Sequence, residues 1–281
     1  MATDPAEFTH ASRAVWQAMA RGWDERHVYI ETRARAVAER ILERAELAPG
    51  LTVLEVAAGT GVVGLAAAAA VAPGGHVILS DFSPAMLEAA ERHATALGIQ
   101  GVEFRVLDAQ AMDLAADVAD VVLCRWGYML MPDPAAALAE TRRVLRPGGI
   151  LSCAVFAGAA QNPWAAIPAR VLEERGHMPP PATGAPGILA LGDPGRLERL
   201  LTDAGFSAPR IEEVGFSWTF DGEDDLWRYL NDAAGALAMV LGRLDLAERA
   251  AVRAQVMEAL APFQGPGGFD LPAVCLVASA R

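Results

Sequence analysis

The sequence predicts an α/β fold: a doubly wound, mostly parallel sheet covered by helices on both faces. Two observations carry that prediction. Five short apolar runs, Leu51 to Ala57, Val77 to Ser80, Val102 to Val106, Val118 to Cys124 and Gly149 to Phe156, alternate with helical segments, and parallel neighbours require crossover helices of that kind. The runs are apolar throughout, as strands buried on both faces are. With 281 residues, 53% of them hydrophobic, the chain can bury a sizeable core.

The elements follow in chain order. Residues 1–48 read as a helical cap, with Trp16, Trp23 and Tyr29 set among charged residues. Residues 49–156 hold the five runs. Between them, Ser83-Pro84 gives a helix start with an N-cap serine and a first-turn proline, and Asp133-Pro134 gives another, ended by Pro147-Gly148-Gly149. Residues 157–192 are rich in Pro, Gly and Ala and read as an inserted lid. Residues 193–281 supply a helix from Asp193 to Ala204, a strand from Ala208 to Phe220, a helix announced by Asp245 and Glu248 and ending near Phe263, and a strand from Ala273 to Ala280. One domain accounts for the whole.

Composition narrows the function. A net charge of −12, with 35 acidic residues against 23 arginines and no lysine, opposes the phosphate neutralisation that nucleic-acid binding needs. No apolar stretch is long enough for a membrane span, and the first ten residues lack a secretory pattern, so a cytoplasmic protein is expected. Cys124, Cys153 and Cys275 are far apart and sit in apolar runs, which predicts buried, reduced thiols and no metal centre among them.

Chemistry concentrates where the first three strands end. Gly59-x-Gly61-x-x-Gly64 leaves a strand and opens a helix, so backbone can approach a ligand at a helix N-terminus. Asp81 follows the second strand, at the spacing where a carboxylate accepts hydrogen bonds from ribose hydroxyls, and Asp108 follows the third. The glycine pattern alone also fits a nicotinamide-dependent oxidoreductase. Either reading requires Gly59, Gly61, Asp81 and Asp108 to share one groove.

Taken together, the run from Val53 to Gly64, Leu79-Ser80-Asp81-Phe82-Ser83-Pro84-Ala85-Met86-Leu87, Leu107-Asp108-Ala109-Gln110, the stretch from Leu123 to Pro134 and Val144-Leu145-Arg146-Pro147-Gly148-Gly149 resembles the class I S-adenosylmethionine-dependent methyltransferases. Within them it is most similar to the ubiquinone and menaquinone biosynthesis C-methyltransferase branch. The resemblance implies a Rossmann-like seven-stranded sheet with an antiparallel last strand. It implies S-adenosylmethionine as cofactor and a small, partly apolar organic acceptor such as a quinone, phenol or polyketide-like molecule. Glu55, Ala57, Gly59 and Gly61 would surround its methionine part, Asp81 the ribose, Phe82 and Met86 the adenine, and Asp108, Ala109 and Gln110 the adenine edge. Cys124 and Arg125 would line the sulfonium side and Trp23 would cover it. Ala58 departs from the family, which often has glycine there. A cofactor-binding role without methyl transfer is the third reading.

Acceptor contacts are expected from the cap, the loop after the fourth strand and the lid: Trp16, Trp126, Met129, Met131, Trp164 and His177. His27, Tyr29 and Tyr128 are the candidate catalytic groups, as titratable side chains in those covering segments. A homodimer is compatible with the sequence.

Overall fold

All five apolar runs form parallel strands. The computed structural model describes residues 5–180, 182 and 184–281, with side chains from Ala11 onward. After helices α1 (Pro5–Glu25) and α2 (His27–Arg44), the core runs β1 (Thr52–Glu55), α3 (Val62–Val71), β2 (His76–Asp81), α4 (Pro84–Leu97), β3 (Val102–Val106), β4 (Ala119–Arg125), α5 (Pro134–Val144) and β5 (Leu145–Phe156). The chain continues through α6 (Pro163–Glu174), α7 (Pro194–Asp203), β6 (Arg210–Phe220), α8 (Glu223–Asp232), α9 (Ala236–Arg243), α10 (Leu246–Leu260), a two-residue β7 (Gln264–Gly265) and β8 (Gly268–Ala280).

Sheet order is β3-β2-β1-β4-β5-β8-β6, with β7 added at the start of β8. Strands β1 to β5 pair in parallel, and β8 enters antiparallel between β5 and β6. The order reverses between β1 and β4, which is where open α/β sheets leave a crevice at their carboxyl ends. Strand β8 starts five residues before the predicted Ala273, and β7 folds back on it as a short hairpin that the sequence reading did not include.

The 48-residue cap divides in two. Helix α2 buries Ile30, Ala34, Val37, Ala38 and Ile41 and receives the Ser152 hydroxyl on its Ile41 carbonyl at 2.8 Å, so it is a core helix of the sheet. Only α1 lies over the crevice. The stretch 157–192 is likewise not a loop throughout: α6 occupies its first half and buries Trp164, Val171 and Leu172.

Helix starts follow the predicted signals with one exchange. Asp133, Asp193 and Asp245 each accept an amide of the first turn. Ser83 occupies the N-cap of α4, but its hydroxyl bonds to Gln17 of α1 at 3.0 Å, and Asp81 accepts the Ser83 amide instead. The N-cap serine thus ties α1 to the sheet edge.

Asn162 is the polar hinge of the α6 side. Fully buried, it donates to the carbonyls of Ala157 and Val274 and accepts from the Val274 amide and the Trp164 indole. An Asn162→Leu variant strands these groups without partners and is expected to lose about 2–4 kcal/mol of stability, read as a lower urea midpoint at unchanged slope.

Candidate functional site

A cavity of about 1260 Å³, counting the solvent space at its mouth, opens at the carboxyl ends of the parallel strands. The turn after β1 forms its floor. Ala57 and Gly59 take positive φ values of 52° and 54°, whereas Ala58 does not, and the Ala58 amide donates to Ser80 at 2.9 Å. A methyl group at position 58 therefore costs nothing, which is why the departure from glycine is tolerated. A side chain built on Gly59 would meet nothing within 4 Å, so the space beside it is open.

Gly61 has a different role from the one the sequence assigned. At φ 85° it opens α3, and a Cβ there would lie 2.9 Å from the Ala90 Cβ of α4. It does not line the cavity. Gly64 similarly lets α3 close on Leu79 and on the Glu55 carboxylate.

Two buried carboxylates face the cavity. Glu55 accepts the Gly64 amide at 2.8 Å; burial raises it to about 8 against the pull of Arg125. Asp81 accepts the Gly59 amide with one oxygen and the Ser83 amide with the other, both at 2.9 Å, and burial raises it to about 6. Each Asp81 oxygen keeps a lone pair for a ligand hydroxyl. Asp108 takes the Gln110 backbone and side-chain amides on one oxygen, and its other oxygen has no partner among the described residues. Phe82, Met86, Ala109, Gln110 and the α1 residues Trp16 and Trp23 complete this half.

The other half is aromatic. Trp126 stacks on Phe156 with ring centres 4.9 Å apart, Phe156 meets Trp164 at 5.1 Å, Trp164 meets Trp218 at 5.8 Å and Trp218 meets Tyr229 at 5.3 Å. All five line the cavity, with Met129 and Met131 beside them. Arg125 joins the halves: it pairs with Glu31 at 2.8 Å and lies 4.8 Å from the centre of a Trp126 ring. Trp126 itself sits at φ 62°, a conformation a bulky residue adopts only when its surroundings hold it there. The indole N–H groups of Trp23 and Trp218 are buried without a partner among the described residues. Donors so placed cost about 1–3 kcal/mol each unless a ligand accepts from them.

Besides Gly61, five predicted site residues lie elsewhere. The Tyr128 side chain points inward to Thr141 at 2.7 Å, and its burial raises the phenol well above 10. The Cys124 thiol sits under Gly127, also raised by burial. Tyr29 donates to the Thr219 carbonyl at 3.0 Å and stacks on Trp218 from behind the cavity wall. His27 packs on His93 beside Asp24. His177 binds Glu248, whose carboxylate Arg175 and His177 together pull down to about 2. Sequence reasoning missed Phe156, Trp218 and Tyr229. The apolar spacing of Leu226, Tyr229 and Leu230 marks a helix, but only tertiary packing brings α8 over the crevice.

Both the sequence and the fold match proteins of known kind. A methyltransferase-domain model matches residues 47–179. Nocamycin O-methyltransferase of Saccharothrix syringae is 32% identical over 77% of this chain and 85% of its own length. This chain belongs to the S-adenosylmethionine-dependent methyltransferases. An arsenite methyltransferase of Halobacterium salinarum is 31% identical over 67% of this chain. A ubiquinone/menaquinone biosynthesis C-methyltransferase of Acidiphilium cryptum is 37% identical over 45% of it. The chain spans only 46% and 55% of those two relatives' lengths. A methyltransferase structure from Bacillus halodurans shares the fold, with a TM-score of 0.61 and 19% identity over 87% of this chain and 97% of its own. S-adenosylmethionine is the cofactor of this methyltransferase. Among the described residues no helix is long and apolar enough to cross a membrane.

The residues present fit that cofactor: a cationic sulfonium and ammonium match two buried acids, and vicinal hydroxyls match the spare lone pairs of Asp81. Because Glu55 and Asp81 are raised in the free fold, both favour protonation there, and the unliganded protein loses stability as pH climbs from about 4 toward about 8. A cationic ligand against Glu55 lowers its pKa again. Cofactor binding is thus expected to release up to one proton near pH 7 and to tighten from pH 6 to 8. Calorimetry in buffers of different ionisation heat reads the proton; Glu55→Gln should abolish the release, and pH-independent affinity would contradict the assignment.

Proposed function

We propose that this enzyme methylates an acidic enol or phenol oxygen on a small, flat, partly apolar acceptor of the quinone, phenol or polyketide-like class. The aromatic half of the cavity carries the reading. Trp126, Phe156, Trp164, Trp218 and Tyr229 offer ring faces and edges suited to a planar molecule. The unpartnered Trp218 N–H offers one donor to an acceptor oxygen.

In this reading Glu55 and the Ala57–Gly59 turn take the methionine end of the cofactor, Asp81 the ribose, Phe82 and Met86 the adenine face, and Asp108, Ala109 and Gln110 its edge. Trp16 and Trp23 cover it. When bound, the cofactor would supply an electrophilic methyl on a sulfonium for transfer to the acceptor oxygen, with the thioether as leaving group. What the chain contributes is alignment of the two reactants and exclusion of water, worth on the order of 7–11 kcal/mol when the geometry is right.

Among the described residues, the ionisable groups lining the cavity are Glu55, Asp81, Asp108, Arg125 and Tyr229. None is a histidine, and burial raises the Tyr229 phenol well above 10. With no base beside the aromatic wall, the acceptor has to lose its own proton, which favours acidic enols and electron-poor phenols. An O-methyltransferase matched along 85% of its length supports oxygen as the methylated atom. Arsenite is disfavoured: arsenic(III) seeks thiolates, and the three thiols are absent from the cavity lining and buried, which raises Cys124 well above the ordinary thiol range and Cys153 and Cys275 to about 12. Free thiols also suit a cytoplasmic setting, and the net charge of −12 argues for a diffusible acceptor over nucleic acid.

Incubation with S-adenosylmethionine and a panel of acidic phenols, enols, amines and arsenite, followed by mass spectrometry, tests this. Methylation of the acidic oxygens is expected, with kcat reaching its plateau at lower pH for the more acidic acceptors. Trp164→Ala should raise acceptor KM by about tenfold or more while leaving cofactor affinity unchanged. Turnover of amines or arsenite alone would refute the proposal.

A further inference from the structure

We infer that Asp24, His27 and His93 form a site for a divalent transition-metal ion of the zinc class, outside the cofactor cavity. Asp24 lies in the last turn of α1, His27 opens α2, and His93 stands on α4. Each can offer one ligand atom, and those atoms lie within 4.8 Å of one another. Tetrahedral zinc, with bonds of about 2.0–2.1 Å, holds its ligand atoms about 3.3 Å apart, so small side-chain shifts close the set.

The orientation of the two imidazoles supports a metal more than their proximity does. His27 Nδ1 is 2.7 Å from the Asp24 carbonyl oxygen, and His93 Nδ1 is 3.1 Å from the Thr60 carbonyl oxygen. A ring nitrogen facing a carbonyl carries the proton, which leaves Nε2 of each neutral ring with a free lone pair. That is the second-shell arrangement of metal-bound histidine. His93 Nε2 lies 2.7 Å from Asp24 Oδ1, a distance bridged by one proton, and opening it to about 3.3 Å lets a divalent ion take that proton's place. The His27 ring centre sits 4.1 Å from that of His93, so its ligand nitrogen is close enough to share the same ion. One divalent ion serves all three groups. Arg92 fixes the second Asp24 oxygen at 2.6 Å, and partial exposure of the cluster leaves room for water to complete the coordination.

The site joins elements that matter to the cavity. Thr60 belongs to the turn after β1, and Trp23 is next to Asp24. A metal there fastens α1 against α4 and the turn.

Titration of the full-length protein with Co²⁺ alone, followed by its visible absorption, is the direct probe. One equivalent with a tetrahedral-type spectrum is expected, displaced by Zn²⁺. Affinity should fall at least tenfold in His27→Ala and in His93→Gln and stay unchanged in His177→Ala. Should the variants misfold, long-range ¹H–¹⁵N spectra of the wild type decide: Zn²⁺ should shift Nε2 of His27 and His93 and leave Nδ1 protonated. No cobalt spectrum, equal binding in folded variants, or unshifted histidine nitrogens would each overturn the inference.

Discussion

The hydrogen bond from the Gly59 amide to the Asp81 carboxylate is the contact on which the site depends. It links the turn after β1 to the end of β2, and its second oxygen holds the start of α4 through Ser83. The same serine reaches Gln17 of α1. One buried carboxylate thus sets the spacing of floor, edge and cover. Its burial also makes it costly to ionise in the free protein, so the groove is electrostatically poised for a cationic ligand.

Strain sits at both ends of the crevice. Ala57 and Trp126 follow β1 and β4, the two strands between which the sheet reverses, and both take left-handed backbone conformations. Each costs about 1–3 kcal/mol. At Ala57 the return is a turn that lays Ala57, Ala58 and Gly59 along the cavity floor. At Trp126 it is an indole stacked on Phe156 and hydrogen-bonded through Nε1 to the Cys275 thiol at 3.2 Å. The cofactor half and the acceptor half are therefore built by the same device, a strained residue just past a central strand.

Apolar runs bounded by turn residues made β1 to β5 legible, because strands buried on both faces carry their burial in their composition. The cofactor half was legible for a related reason: backbone approach demands glycine, and a sheet edge places Asp81 and Asp108 at predictable positions. The catalytic candidates were not. Tyr128 follows a strained residue and sits in a short 3₁₀ turn, so its side chain turns into the core although its neighbours Trp126 and Met129 line the cavity. His27 opens the core helix α2 and His177 follows α6, and they face a helix junction and a surface ion pair, since position along the chain does not fix which face of a helix meets a ligand. Trp218 and Tyr229 escaped notice because strand order, β8 between β5 and β6, brings them to the cavity, and sequence spacing holds no record of that insertion.

The most direct test of the whole account is a crystal structure with S-adenosylhomocysteine bound. The ribose hydroxyls should lie within hydrogen-bond distance of the Asp81 carboxylate, with the adenine between Phe82 and Asp108 and the sulfur facing the Trp126 side. A nucleoside bound away from Asp81, or a homocysteine tail that leaves Glu55 and Gly59 untouched, would contradict it.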